Sequence, residues 1–468
     1  MIPIKRRWLL VVVLVGLILR LVWSSLVYSP PFKNPQSSMS KMYVRSAYLI
    51  VLGEGYSQTH PSSPAQTYID KEIIKPNLEG KNLSSKSEYK IPREGLFPET
   101  LHPPGTSILA AAVMRVTGMD GWKALQLLGT IFDLMGIVLI WYLAALLCPS
   151  VKWLPFISSL IYAICPPLLS GVASARDIAF MAPLTLLSLY NYVRYYQSRK
   201  VRYFLISALV TGVAAYFRPD ALLFTAFLGL IHLGDILSKP SFRQVGKFLL
   251  RPLVAIGIAL LLLLPWAIRN HEVVNRWVFT STGAGCTLIT GLGTFPNPWG
   301  FGRSDLDRHK EAQAAGYLNG FDPEADKFFQ EKFINAIKSD PFTFAKIVLW
   351  RVPMSIAPPY SLGLEVPKDS FGQIRAKGEI SKNIIILLKA YWPEVLCSLG
   401  AFLGLFGVFY LYRVTDNRSM VWLILILPYT YVVAVHLLTH MAPYYLLPAI
   451  SSQIIGLAFI ISRLRPLR

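Results

Sequence analysis

Ten apolar runs punctuate the sequence, at about Trp8–Val27, Ala124–Leu147, Leu154–Gly171, Ile178–Tyr196, Tyr203–Phe217, Ala221–Leu237, Leu253–Ile268, Ile385–Leu411, Met420–Leu438 and Tyr445–Ile461. With 53% hydrophobic and only 15% charged residues, no soluble core could hide that much apolar surface. The expected fold is an all-α polytopic membrane protein of about ten transmembrane helices. The first run follows Lys5, Arg6 and Arg7, is long enough to span a bilayer and precedes no small-x-small cleavage pattern. It reads as a retained helix rather than a cleavable leader.

The net charge of +20 is distributed in a way that argues against nucleic acid as a partner. Basic residues cluster at alternate ends of the apolar runs. Lys152, the Arg194–Arg202 cluster, Lys239–Arg251, Arg413 with Arg418, and Arg463 with Arg465 and Arg468 fall on one side, where Asp416 is the clear acid. By the positive-inside rule this predicts a multi-pass protein of the inner cell membrane, both termini cytoplasmic and the long loops outside. The remaining positive charge suits membrane lipids and an anionic lipid substrate.

Three segments follow from this pattern: residues 1–268, an amino-terminal module with a long first outer loop (28–102); residues 269–382, a second outer loop with amphipathic helices; and residues 383–468, the last membrane helices. In the first loop, Met39, Met42, Tyr43, Ala47, Ile50 and Val51 recur at helical spacing, with Lys41 and Arg45 on another side, predicting an interfacial helix. Pro104 opens another short helix that Gly118 ends. The mixed-charge stretch Asp70–Glu94 reads as exposed and mobile. In the second loop, Asp322-Pro323 and Asp340-Pro341 are both cap-then-proline helix starts. The first of these helices presents Phe329, Phe333, Ile334 and Ile337. The second carries Phe342, Ala345, Val348 and Trp350 until Pro353 breaks it; it reads as interfacial, with a membrane span as the alternative.

Cys148, Cys165, Cys286 and Cys397 are scattered, with neither a disulfide framework nor metal-ligand spacing. Four outer turns concentrate ionisable groups: Arg176-Asp177, Arg218-Pro-Asp220, Pro265-Trp-Ala-Ile-Arg-Asn-His271 and His440-Met-Ala-Pro-Tyr-Tyr445. Helix ends commonly carry charge, so any one of these could be an anchor. Four on one face suit a lipid-phosphate donor and a hydroxyl acceptor. Asp133 lies inside the second run, where an acid is either functional or held by a neighbouring helix. Asn82-Leu-Ser84 matches a glycosylation sequon that is common by chance.

These segments together resemble the membrane glycosyltransferases that use polyprenyl-phosphate sugars, the GT-C group containing protein O-mannosyltransferases and the aminoarabinose transferase. The resemblance lies in Tyr43–Tyr56, which ends Leu-Gly-Glu-Gly-Tyr, in His102-Pro-Pro-Gly105, and in Arg218-Pro-Asp220. It lies above all in Pro265-Trp-Ala-Ile-Arg-Asn270 followed by Phe279-Thr-Ser-Thr-Gly-Ala-Gly285. It implies an inverting transfer from a polyprenyl-phosphate-linked sugar donor to a lipid, glycan or protein acceptor.

The family places a general-base acid a few residues before Tyr43, but Ser37-Ser-Met-Ser-Lys41 contains none, and the closing Pro443-Tyr-Tyr445 lacks the usual Arg. Asp177 matches the acid of the family's second outer loop and is the first candidate base, followed by Glu99 and Glu54. Arg218 and Arg269, with His102, Tyr444 and Tyr445, are the candidates for binding the donor phosphate. No metal ligands are assigned; the cofactor is unknown, with a divalent cation on outer carboxylates left open. A transporter or lipid flippase, suggested by Asp133, and a catalytically silent relative, suggested by the missing acid, stand as alternatives.

Overall fold

The computed structural model describes residues 7–27, 38–60, 63–78, 89–238, 242–302, 304–317, 319–320, 322–358 and 380–464. The described residues are mostly helical, and the apolar runs of the sequence lie largely on helix. The long helices are α1 (Arg7–Val27), α2 (Ser38–Leu52), α3 (Gly105–Thr117), α4 (Gly121–Leu147), α5 (Leu154–Ile164), α6 (Pro166–Ala173), α7 (Ile178–Ser198), α8 (Val201–Ala215) and α9 (Phe242–Val274). They continue with α10 (Ala284–Leu292), α11 (Asp305–Ala314), α12 (Pro323–Ser339), α13 (Pro341–Ile356), α14 (Ile380–Val414), α15 (Arg418–Leu438) and α16 (Ile450–Leu464). Among the described residues six helices are long and apolar enough to cross a membrane, or seven if the bent pair α5–α6 is one span. The run at Ala221–Leu237 is split into short turns of helix, and α8 is short.

The break between α5 and α6 shows how the sequence shapes a membrane helix. Pro166 and Pro167 cannot donate to the carbonyls of Tyr162 and Ala163, and the axis bends by 46°. Both orphaned carbonyls find other donors. The Cys165 amide reaches back to Tyr162 O at 3.3 Å, and Arg20 Nη1 on α1 donates to Ala163 O at 3.0 Å. The same guanidinium pairs with Asp133 on α4, its Nε donating to Oδ2 at 2.6 Å, while Tyr162 donates to Oδ1 at 2.8 Å. Arg20 and Asp133 are both buried. The acid within the second run is therefore held by neighbouring helices, through an arginine that the apolar character of the first run concealed. Gly136, one turn beyond Asp133, leaves room for the phenol; a Cβ there would lie 2.3 Å from the Tyr162 oxygen.

At the other end of the chain, α14 lies along α16 with backbones in close approach. A Cβ on Gly456 would sit 2.0 Å from Gly404 O, and one on Gly407 2.1 Å from Gly456 O. Small residues at such a crossing let helices associate in lipid, where no hydrophobic force drives them together. Gly456→Val should therefore part α14 from α16 and lower the melting temperature in detergent, at a cost on the order of 3 kcal/mol. Gly257→Ala on α9, with open space around it, should leave the melting temperature unchanged. Equal melting of both variants would disprove the close-packing account.

The first loop is built on α2, which packs along α3. Tyr43, Val44, Ala47, Tyr48 and Leu49 are all buried, so α2 is walled in by protein around most of its circumference rather than exposing one charged side. Arg45 forms a two-pronged pair with Asp70, at 2.8 and 2.7 Å. Far from being a mobile stretch, Asp70 belongs to a helical run from Pro64 to Leu78 that buries Ile69 and Ile73; residues 79–88, with the Asn82 sequon, lie outside the described residues. A two-stranded antiparallel sheet, β1 (Ser57–Thr59) with β2 (Leu96–Pro98), ties the loop's start to its end. Gly118 ends α3 in the left-handed conformation, φ 70°, as expected of a C-cap glycine.

In the second loop both cap-proline starts form as read. Asp322 accepts from the Glu324 amide at 2.9 Å, and Asp340 from Thr343 at 2.9 Å. Helices α10, α11 and α12 share a small hydrophobic cluster of their own around Phe329, Ile289 and Leu292. Ile334 turns away from it and is half exposed. Pro353 does not break α13, which continues to Ile356. The turn is held from both sides of the proline: Arg351 donates to Leu437 O and Gly291 O at 2.6 Å each, and Tyr429 donates to Ser355 O. The exposed side of α13 is largely apolar, with Phe342 87% exposed and Leu349 67%, and also carries Lys346, whose ammonium lies over the Trp350 ring. None of the four cysteines forms a disulfide.

Candidate active site

Two carboxylate clusters, joined by one tyrosine, gather residues from four distant parts of the chain. The first starts from Arg218. As the residue before Pro219 it is pushed out of the helical region, to φ −150° and ψ 134°, which ends the helical segment and swings its side chain across the helix ends. Its Nη1 donates to Asp177 Oδ2 at 3.1 Å and its Nε to Asp220 Oδ1 at 2.9 Å. The guanidinium lies 4.7 Å over the Tyr445 ring, which stacks in turn on His436 with centroids 4.6 Å apart. His436 Nε2 stands 3.4 Å from Asp220 Oδ2. Asp177 occupies the N-cap position of α7, yet makes no capping bond, so its carboxylate stays turned toward Arg218 and the Tyr43 hydroxyl. The turn that aims it is strained: Ala175 takes φ 54°, a region that favours glycine.

The second cluster surrounds Glu99, which is 1% exposed. Its Oε1 accepts from the amides of Leu101 (2.7 Å) and His102 (3.0 Å), and its Oε2 from Gln58 Nε2 (2.9 Å). Burial works to raise its pKa, but His102 at 3.5 Å and these donors outweigh it and hold the carboxyl below the usual range. Tyr43 bridges the clusters: its ring meets His102 edge-on at 5.2 Å and its hydroxyl faces Asp177. Burial, then the Asp177 charge, pushes the Tyr43 phenol well up, so it stays a donor.

The motifs read from the sequence are the fittings that hold these clusters. A Cβ on Gly105 would lie 2.6 Å from Tyr216 O, and the Gly105 amide donates to that same oxygen at 2.8 Å. Only glycine lets the His-Pro-Pro turn press so closely against the chain two residues before Arg218. At the end of α9, Arg269 donates to Glu99 O (2.7 Å), to Asn270 Oδ1 (2.9 Å) and to Tyr56 O. Trp266 Nε1 donates to Thr280 O at 3.2 Å, and Asn270 Nδ2 to Val278 O at 2.8 Å. The Trp266–Asn270 motif thus binds the first loop and the following irregular segment to one helix end.

Of the residues singled out in the sequence, the structure gathers Asp177, Arg218 and Tyr445 in one cluster, and Glu99 and His102 in the other, with Arg269 bonded behind Glu99. Tyr444 lies beside Tyr445 and carries the Arg176 guanidinium 4.7 Å over its ring. Glu54 instead pairs with Arg93 at 2.6 Å. Tyr43, Asp220, His436 and Arg176 were not among the candidates, although Asp220 and Arg176 adjoin them in sequence. Arg176 Nε is buried without a hydrogen-bond partner, and no carboxylate among the described residues pairs with it. No cluster of three or more His, Cys, Asp or Glu suited to a metal ion occurs among the described residues.

His440, in the turn before Tyr444, is half-buried; desolvation first, then the Arg351 and His436 charges, pushes it down to about 4. In the unfolded chain it titrates near 6.5. Between these values the unfolded state binds the extra proton, so stability present above pH 6.5 is lost as pH falls toward 4. Thermal unfolding in detergent across that window should show the decline, and His440→Gln should flatten it. An unchanged slope in the variant would assign the decline to other groups.

An integral membrane protein with the GT-C glycosyltransferase fold is the class that these helices define. The chain is similar over 97% of its length to the crystal structure of the Archaeoglobus fulgidus oligosaccharyltransferase in complex with zinc and sulfate, with TM-score 0.50 and 14% identity. A second structure of that enzyme, tethered to an acceptor peptide, gives TM-score 0.47 and 13% identity over 98% of this chain. The chain spans about half the length of these proteins, 49% and 50% respectively. Residues 101–268 match the family model of dolichyl-phosphate-mannose-protein mannosyltransferases, a stretch that holds His102, Asp177 and Arg218. No curated protein sequence matches the chain. The resemblance read from the sequence is borne out at the level of this class.

Proposed function

We propose that this chain is a glycosyltransferase that moves a sugar from a polyprenyl-phosphate donor to a hydroxyl acceptor at the outer face of a cell membrane, with inversion. In this reading both termini are cytoplasmic, the ten apolar runs weave across the bilayer, and the two long loops lie outside beside the site. The observation that carries it is the buried Asp177–Arg218–Asp220 cluster, joined through Tyr43 to His102.

Asp177 takes the proton of the acceptor hydroxyl while that oxygen bonds to the anomeric carbon; the bond from that carbon to the phosphate oxygen breaks, and the phosphate leaves with the electron pair. Arg218 is already shared by two carboxylates, so its part is to fix Asp177. Arg269 is taken up by carbonyl oxygens. That leaves Arg176, over Tyr444 and free of any carboxylate among the described residues, as the cation best placed to stabilise charge on the departing phosphate. Glu99, saturated by three donors and held at low pKa, suits orienting His102 better than accepting a proton. Glu54 ranks last because Arg93 holds it.

The test is sugar transfer by the purified full chain in detergent, from a panel of radiolabelled polyprenyl-phosphate sugars to envelope lipid, glycan and protein fractions. Transfer from one donor establishes the reading and names the sugar. Saturable donor binding without turnover means a silent relative. The transporter reading loses its main support, because Asp133 is engaged by Arg20 and Tyr162.

A further inference from the structure

Asp220 takes no part in the proton transfer or phosphate binding described above, yet it is built into the same cluster. An arginine that simply anchors an acid does so with two prongs, as Arg45 holds Asp70 at 2.8 and 2.7 Å. Arg218 behaves differently. It touches Asp177 through one N–H at 3.1 Å and gives its Nε to Asp220 at 2.9 Å. Two carboxylates share one guanidinium, so with both ionised the trio carries an excess negative charge.

Of the two acids, Asp220 is the more firmly held. The Tyr431 hydroxyl, on a ring packed against Phe224 and Phe227, donates to the Asp220 carbonyl at 2.6 Å. His436 Nε2 faces Oδ2 at 3.4 Å, and its Nδ1 is tethered to His440 O at 3.2 Å. Arg218, Tyr445 and His436 form three stacked layers, and Asp220 reaches from the first to the third. Burial works to raise the Asp220 pKa, but Arg218 and then His436 outweigh it and hold the carboxyl below the usual range. Asp177 is faced only by Arg218 Nη1, the Tyr43 hydroxyl and the Tyr445 phenol, while its neighbour Arg176 lies over Tyr444.

A carboxylate gripped by an undivided guanidinium is a poor proton acceptor, because the pairing stabilises its charged form. Resting on the reading of Asp177 as the base, we propose that Asp220 is a positioning residue that competes for Arg218, leaving Asp177 aimed by the guanidinium but free to take the acceptor's proton. A residue that merely anchored the turn would affect folding without changing the pH at which Asp177 takes up a proton.

The experiment is an infrared titration of the purified full chain in lipid, following the carbonyl band of a protonated carboxyl that Asp177→Asn lacks. In Asp220→Asn that band should appear about one pH unit lower, since Arg218 then pairs with Asp177 alone and a negative neighbour is gone. Asp220→Glu keeps the charge and should keep the band in place. His436→Phe keeps the ring on Tyr445 but frees Oδ2 to turn onto Arg218, so the band should move to higher pH. In the transfer assay, Asp220→Asn should lose up to about tenfold in kcat, with the donor KM within about twofold and the acid limb following the band. An unmoved band in folded Asp220→Asn, an equal shift in Asp220→Glu, or an unchanged kcat beside a shifted band would overturn the proposal. Should Asp220→Asn not fold, a band at the parental pH in His436→Phe would overturn it equally. A band that moves as expected in a chain without transfer from any donor upholds the sharing of Arg218 and counts against the reaction itself.

Discussion

Asp177→Asn is expected to lower sugar transfer by roughly two to four orders of magnitude while the melting temperature moves by only a few degrees. The substitution keeps the shape and an acceptor oxygen. Tyr43 can still donate to position 177, and Arg218 retains Asp220 as its counter-ion. What is lost is a group able to take a proton. The companion is Glu99→Gln, whose amide would face the Leu101 or His102 N–H that now donate to the carboxylate. That variant should lose stability more than chemistry. The assay is single-turnover transfer beside thermal unfolding on the same preparation. Full turnover by Asp177→Asn would remove it from the mechanism, and a selective rate loss in Glu99→Gln would move the base there.

Arg20→Met should be the most damaging single change to stability, at a cost of about 3–5 kcal/mol. It would leave Asp133 buried without its cation and Ala163 O without a donor at the proline break, inside a span where neither can turn to water. Arg20→Met with Asp133→Leu should recover part of the loss, since the uncompensated charge is gone. It should not recover all of it, since Ala163 O stays orphaned. Recovery of the monodisperse peak on size exclusion and of the melting temperature measures both terms. A single Arg20→Met chain as stable as the parent would show that the α1–α4–α5 link is dispensable.

Much of the helical frame was legible because lipid imposes simple rules. The ten apolar runs fall largely on helix, and Asp322-Pro323 and Asp340-Pro341 start helices through local capping that depends on a few adjacent residues. Gly118 stops α3 for a reason equally local, a left-handed residue with no Cβ to clash. The errors have a common origin. Pro353 carries a local tendency to break a helix, the charged stretch at Asp70–Leu78 a tendency to stay mobile, and α2 a tendency to lie at the interface; in each case tertiary contacts overrode it. Arg351 and Tyr429 hold the helix across Pro353, Arg45 pins Asp70, and α3 covers α2.

The site was half legible. Asp177, Arg218, Glu99 and His102 stood out as charged or motif residues at helix ends, but periodicity cannot say which end meets which. Tyr43 and His436 were not legible as site residues, since a tyrosine on a helix reads as core and a histidine in an apolar span as a satisfied neighbour; Asp220 stood beside Arg218 in a turn marked by its charge.

By itself the sequence determined a helical membrane protein with two long outer loops and charge gathered at its helix ends, because apolar length and proline or glycine punctuation act through near neighbours. Only the tertiary structure decided that Arg20 answers Asp133 across 113 residues and that Tyr43 joins two carboxylate clusters. Those are distances between side chains from remote turns, fixed when the helices pack.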